Sequence, residues 1–114
     1  MTQNNNQLAT DEHWMGQISA WADEYKTSEV QVPRNQDALL ALTSLSLRSN
    51  SLDSLPNCIG KLSNLTSLDV SGNNLDSLPD CIGKLRNLVS LDISYNNIGV
   101  VPENIDQSRV KIYL

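Results

Sequence analysis

Phenylalanine is missing from this chain of 114 residues, and aromatic side chains of any kind make up 4% of it. A core must therefore be filled by aliphatic residues, and leucine supplies most of them. Histidine occurs once, as His13, which leaves no Ser-His or Cys-His dyad to assemble further along the chain. Glycine-rich phosphate loops and clustered metal ligands are lacking as well, so no cofactor is expected. No run of 18 apolar residues occurs, and the start, MTQNNNQLAT, has neither a basic n-region nor an apolar h-region. No membrane span or secretory leader is expected, and the cytosol is the expected compartment. The two cysteines, Cys58 and Cys81, stand 23 residues apart, too far for a C-x-x-C motif.

Positive charge is scarce too. The formal net charge is −5, which argues against nucleic acid, whose binders gather Lys and Arg on one face. Residues 1–37 hold 2 basic and 6 acidic residues, while residues 38–114 hold 6 and 7, so the acidity belongs to the N-terminal segment.

What the chain has instead is repetition. Leu42–Asn64, Leu65–Asn87 and Leu88–Val110 are successive 23-residue segments, and the first two agree at 16 of 23 positions. A fixed period of this length marks a stacked solenoid, in which no single unit buries its own apolar face. Around Thr66–Val70 the residues alternate with period 2, so a short strand sends Leu68 and Val70 inward and Ser67 and Asp69 outward. Neighbouring strands are parallel, and the rest of each segment is the crossover they require. Asn50, Asn73 and Asn96 turn inward just after each strand, where an amide can serve leftover backbone donors and acceptors. Pro56, Pro79 and Pro102 set the turn into a back wall of Ile59, Ile82, Ile105, Leu62 and Leu85. Side chains in one column point the same way, which is poor disulfide geometry, so Cys58 and Cys81 are expected as free thiols rather than a bond.

The run L-x-x-L-x-L-x-x-N-x-L, seen at Leu65, Leu68, Val70, Asn73 and Leu75 and kept in the other copies, resembles the leucine-rich repeat family. The match covers roughly residues 30–114, and L-x-x-L-P-x-x-I-G-x-L is similar to the 23-residue type of bacterial proteins and Ras-related intracellular scaffolds. The resemblance implies an α/β leucine-rich-repeat right-handed solenoid, a short horseshoe arc with one parallel sheet. It also implies a protein partner held on the concave face of that sheet.

The remaining segments fit around the repeats. Residues 1–9 form a polar tail expected to be disordered. Residues 10–28 form a helix with Trp14, Ile18, Trp21 and Tyr25 on one face. That face either seals the open end of the first repeat or serves a membrane or partner groove. The acidic opposite face favours the seal, because membrane-surface helices carry Lys and Arg there. Residues 29–41 shift by one period onto the repeats as a half-repeat that keeps the back wall and lacks the strand. Residues 42–110 are the three repeats, and residues 111–114 start a truncated fourth strand. In strict phase Leu114 takes its second leucine position; a one-residue slip would instead put Val110 first. In the third copy Asp106 and Ser108 replace a glycine and a leucine, so the back wall is expected to lose its anchor.

The exposed sheet columns are Ser44, Ser67, Ser90; Ser46, Asp69, Asp92; Arg48, Ser71, Ser94; and Ser49, Gly72, Tyr95. Interface hot spots favour Trp, Tyr and Arg, which singles out Arg48 and Tyr95, with Asp69 and Asp92 as charged neighbours on the expected partner face. No catalytic residue is assigned, and the expected function is a non-enzymatic protein–protein interaction module. Two alternatives stand beside it. One is a structural or truncated fragment that pairs with a second copy through its uncapped C-terminal edge. The other, implied by the resemblance to bacterial effectors with leucine-rich repeats, is a secreted protein whose polar N-terminus is its signal.

Overall fold

The sequence period becomes a spatial one, with one strand per copy stacked in chain order. The computed structural model describes residues 14–25 and 32–114. Strands β1 (Ser44–Ser46), β2 (Ser67–Asp69), β3 (Ser90–Asp92) and β4 (Lys111–Tyr113) form one parallel sheet in the order β1-β2-β3-β4. Ser44 pairs with Ser67 and Ser67 with Ser90, so the first three strands align a full period apart. Leu45, Leu68 and Leu91 at the strand centres are buried, as the alternation requires. The ladder runs on beyond the strands, with the Leu47 N–H donating to the Asp69 carbonyl at 2.7 Å and the Val70 N–H to that of Asp92 at 2.9 Å.

Each coil returns behind the sheet through a tight turn. Two of these are 3-10 helices, Asn57–Lys61 and Asp80–Lys84, each with a proline, Pro56 or Pro79, at its N-cap. The carbonyls of Pro56, Pro79 and Pro102 accept from the N–H groups of Ile59, Ile82 and Ile105, so all three prolines open the same turn. Ile59, Leu62, Ile82 and Leu85 are fully buried behind them; each such side chain contributes about 1.5–3 kcal/mol. The glycine of each turn leaves room for the next coil. A Cβ on Gly60 would lie 2.7 Å from the Cys81 carbonyl oxygen, and one on Gly83 would strike Asn104. The equivalent Asp106 is exposed, so a side chain there meets no such neighbour.

The third back wall keeps its closure by different means. Asp106 Oδ1 accepts from the Ser108 N–H at 3.0 Å and from its hydroxyl at 2.5 Å. The Ser108 hydroxyl, more than any other group, holds the Asp106 carboxyl below the usual range. The Arg109 and Val110 N–H groups then close on the Asp106 carbonyl. An aspartate–serine turn replaces the glycine–leucine anchor.

Between sheet and back wall runs the asparagine column. Asn73 Oδ1 accepts from the N–H groups of Asn50 and Leu52, each at 2.9 Å, while its Nδ2 donates to the carbonyls of Leu47, Val70 and Ser71. Asn96 repeats this one coil later, accepting from Leu75 and donating to Val70, Ile93 and Ser94. Asn50 departs from the expected pattern in that its amide donates only within its own coil, to the Arg48 carbonyl; Asn73 is buried, while Asn50 and Asn96 are half-buried. The difference is physical, because Asn73 and Asn96 serve the backbone of the coil before them, and the half-repeat brings no strand to Asn50.

Upstream of the sheet, residues 14–24 form helix α1 and Gln36–Ala41 form helix α2. Trp14, Ile18, Trp21 and Ala22 join the same core cluster as the repeat leucines. Trp21 Nε1 donates to the Ser54 carbonyl at 3.0 Å, and the Asp53 N–H to the Tyr25 hydroxyl at 3.4 Å. Arg34 pairs with Asp23 at 3.0 Å. In the half-repeat, Val32 and Leu39 are buried, but the segment returns as an α-helix capped by Asn35, unlike the 3-10 turns downstream. The tail at 1–9, the helix ends at 10–13 and 26–28, and residues 29–31 lie outside the described residues.

The fourth strand follows neither expected register. Leu91 pairs with Ile112, 21 residues on, and Leu114 lies past the strand, exposed. Val110 is buried, but with Lys111 paired to Ser90 it stands opposite Val89 rather than Leu88. Arg109 marks the shift. It donates to the carbonyls of Arg86 and Leu88 at 2.5 and 2.7 Å, where Asn87 and Asn64 serve Ser63 and Leu40 in the coils before.

Two stability measurements test this packing. Asn73→Ala strands several buried groups and is expected to cost about 3 kcal/mol or more in urea unfolding, against under about 1 kcal/mol for Asn50→Ala. Equal losses would remove the column from its role. Gly60→Ala should destabilise by about 1–3 kcal/mol through overpacking. Gly16→Ala, in α1 with nothing within 4 Å of the added methyl, should stabilise by about 0.5–1 kcal/mol.

Candidate functional site

Because alternate residues of every strand point away from the core, the outer face of the sheet is a grid whose columns are the sequence columns. Its central charges are partly spent on the fold. Asp69 Oδ1 accepts from the Ser71 N–H at 3.0 Å and from the Ser71 hydroxyl at 2.7 Å; Asp92 and Ser94 repeat this at 3.0 and 2.6 Å. Each aspartate therefore ties off the chain just after its strand, and both are half-buried. Ser71, expected on the surface, is buried for the same reason.

Arg48 stands in the first coil, where Ser46 supplies no carboxylate. Its Nε lies 3.7 Å from Asp69 Oδ2, with the Arg48 side chain well exposed. An ion pair this open contributes about 0–1 kcal/mol, so Arg48 is not tied down by it.

The column Ser49, Gly72, Tyr95 has a backbone property the sequence conceals. All three residues sit in the left-handed region, at φ of 57°, 68° and 56°. Glycine takes that conformation freely, whereas a side chain there costs about 1–2 kcal/mol. Tyr95 bears this cost while 86% exposed.

The register of β4 adds residues that the strict period misplaces. Lys111 pairs with Ser90 and Tyr113 with Asp92, so both extend the outward columns. The Lys111 ammonium lies 5.3 Å from the centre of the Tyr113 ring, within cation–π range. Tyr113 is 45% exposed. Every exposed large hydrophobic among the described residues lies between Val89 and Leu114. Two of them, Tyr95 and Tyr113, stand in the outward columns, so the face runs from a serine-rich side at β1 and β2 to an aromatic side at β3 and β4. Of the residues expected at a partner site, Tyr95 lies on the second side, Arg48 on the first, and Asp69 and Asp92 between them. The signal for Tyr113 and Lys111 was present as the alternation in VKIYL, but their column depends on the two residues missing from the third crossover.

The remaining expected residues, Trp14, Trp21, Pro56, Pro79, Pro102, Asn73 and Asn96, lie in the packing and turns away from this face. Histidine contributes nothing that can be placed, since His13 lies outside the described residues. Those residues contain no group of three or more His, Cys, Asp and Glu able to hold a metal ion.

Comparison with known proteins agrees with this architecture. No curated protein sequence matches the chain. A solved structure of a leucine-rich-repeat protein of Leptospira interrogans is similar at 38% identity with a TM-score of 0.58. The likeness covers 62% of this chain but 18% of that one. A family model described as a leucine-rich repeat region matches residues 23–109, and proteins of this kind generally serve in protein interaction without catalysing reactions. With its parallel sheet, stacked turns and inward asparagines, the chain belongs to the leucine-rich repeat family.

Proposed function

We propose that this chain is a non-enzymatic protein-interaction module. Its partner, a protein, docks on the outer face of the sheet, the concave side of the solenoid, centred on Tyr95 and Tyr113. The observation that carries this is Tyr95 itself, a large amphipathic residue held at positive φ and left 86% exposed. Its column imposes that backbone, but here it carries a large exposed side chain, and Tyr is among the residues that dominate interfaces. Lys111 lies beside Tyr113, and Arg48 offers a second anchor across the serine columns. Asp69 and Asp92 shape the floor between them. The non-enzymatic reading rests on the leucine-rich repeat family, whose members generally serve in protein interaction.

Tyr95→Gly separates binding from folding. It is expected to stabilise the chain by up to about 1 kcal/mol, read as a higher midpoint in urea. It should also weaken a captured partner by about 30-fold, as a hot-spot loss of about 2 kcal/mol does. Arg48→Ala should weaken capture less, and Lys84→Ala on the back wall should leave it unchanged. Capture that survives Tyr95→Gly and Tyr113→Ala but fails with Lys84→Ala would overturn the reading. Oligomers that grow with concentration, with no partner retained, would replace it with self-association through β4.

A further inference from the structure

The strict period places Cys58 and Cys81 at one position of successive coils, and both are free thiols. They stand second in the 3-10 turns Asn57–Lys61 and Asp80–Lys84, on the side of the coil opposite the sheet. Both line a single open cavity of about 90 Å³, together with Asn57, Gly60, Lys61 and Lys84. Gly60 makes the site, because its missing side chain lets the Cys81 backbone approach to 2.7 Å of where a Cβ would stand.

Two donors arranged in this way suit one chemistry better than the others. Residues at one position of successive coils are spaced by roughly the 4.8 Å that separates paired strands, whereas a disulfide needs its sulfurs about 2.05 Å apart. Two thiolate–metal bonds of about 2.3 Å each reach across about 4.6 Å. Thiolates select soft ions, chiefly zinc and cuprous copper. Zinc requires four ligands, and the described residues hold no cluster of three or more His, Cys, Asp and Glu. Cuprous ion accepts two. The bis-thiolate complex carries one net negative charge, which Lys61 and Lys84 at the cavity can offset.

We propose that Cys58 and Cys81 form a two-coordinate site for cuprous copper on the back wall, bridging consecutive coils. Binding converts two thiols and one Cu⁺ into one Cu(SR)₂⁻ unit and releases two protons, with no change of oxidation state. Because two protons are released, binding must tighten as pH rises.

The test is titration of the full chain with Cu(I) held by bicinchoninate under a reductant, followed by loss of the coloured chelate. One equivalent per chain is expected. Cys58→Ser and Cys81→Ser should each weaken it by about 100-fold or more, the loss expected when a second donor no longer closes the chelate. Cys58 is buried, so circular dichroism accompanies its variant, and Cys81→Ser at the half-buried position decides the matter if Cys58→Ser unfolds. Lys61→Gln with Lys84→Gln should weaken binding by about tenfold. A Cys81→Ser chain that keeps wild-type affinity, one copper shared by two chains, or no withdrawal of copper at any pH would overturn the site. None of these variants touches the sheet face, so this result and that of partner capture are independent.

Discussion

Everything in this fold depends on how the backbone is satisfied where each strand ends. A strand of three residues makes few ladder bonds, and the chain must then turn inward through the core with its amides and carbonyls exposed to apolar surroundings. An unpaired group there costs about 1–3 kcal/mol, more than short strands can offset. Asn73 and Asn96 solve this with one side chain apiece, bonding the coil they belong to and the one before it. Leucines can pack in many ways, but the amide accepts only one arrangement of two adjacent coils. It therefore sets the register, and the register places every outward residue.

The same constraint explains which departures from the repeat are tolerated. Glycine is required at 60 and 83 because the next coil presses there, while Asp106 meets nothing and instead makes a turn of its own with Ser108. Two residues vanish from the third crossover, yet Arg109 reaches the carbonyl of Arg86 that an asparagine would have served. The fold preserves the hydrogen bond rather than the residue.

Much of this was legible from residue order. The three repeats, the inward Asn73 and Asn96, the opening prolines and the two free thiols all follow from a 23-residue period combined with elementary backbone chemistry. For Asn50, column membership does not reveal whether an earlier coil exists for the amide to serve. The register of β4 was not legible, because Leu114 and Val110 are both plausible leucine substitutes and only packing chooses among the slips. At the candidate site Tyr95 was evident as an exposed aromatic, but its left-handed backbone was not. That conformation belongs to the column, and only Gly72 hints at it. Tyr113 and Lys111 were hidden behind the same slip that displaced Leu114.

One property of the side-chain bonds between coils has a meaning beyond stability. Asn64, Asn73, Asn87, Asn96, Asn104 and Arg109 all donate to carbonyls of the preceding coil. Each coil is thus completed by its successor. On a ribosome, where the chain emerges from its N-terminus, such an arrangement lets every new coil lock the previous one as soon as it appears. Bonds of this kind give the stack a polarity, each coil closed by the one that follows it.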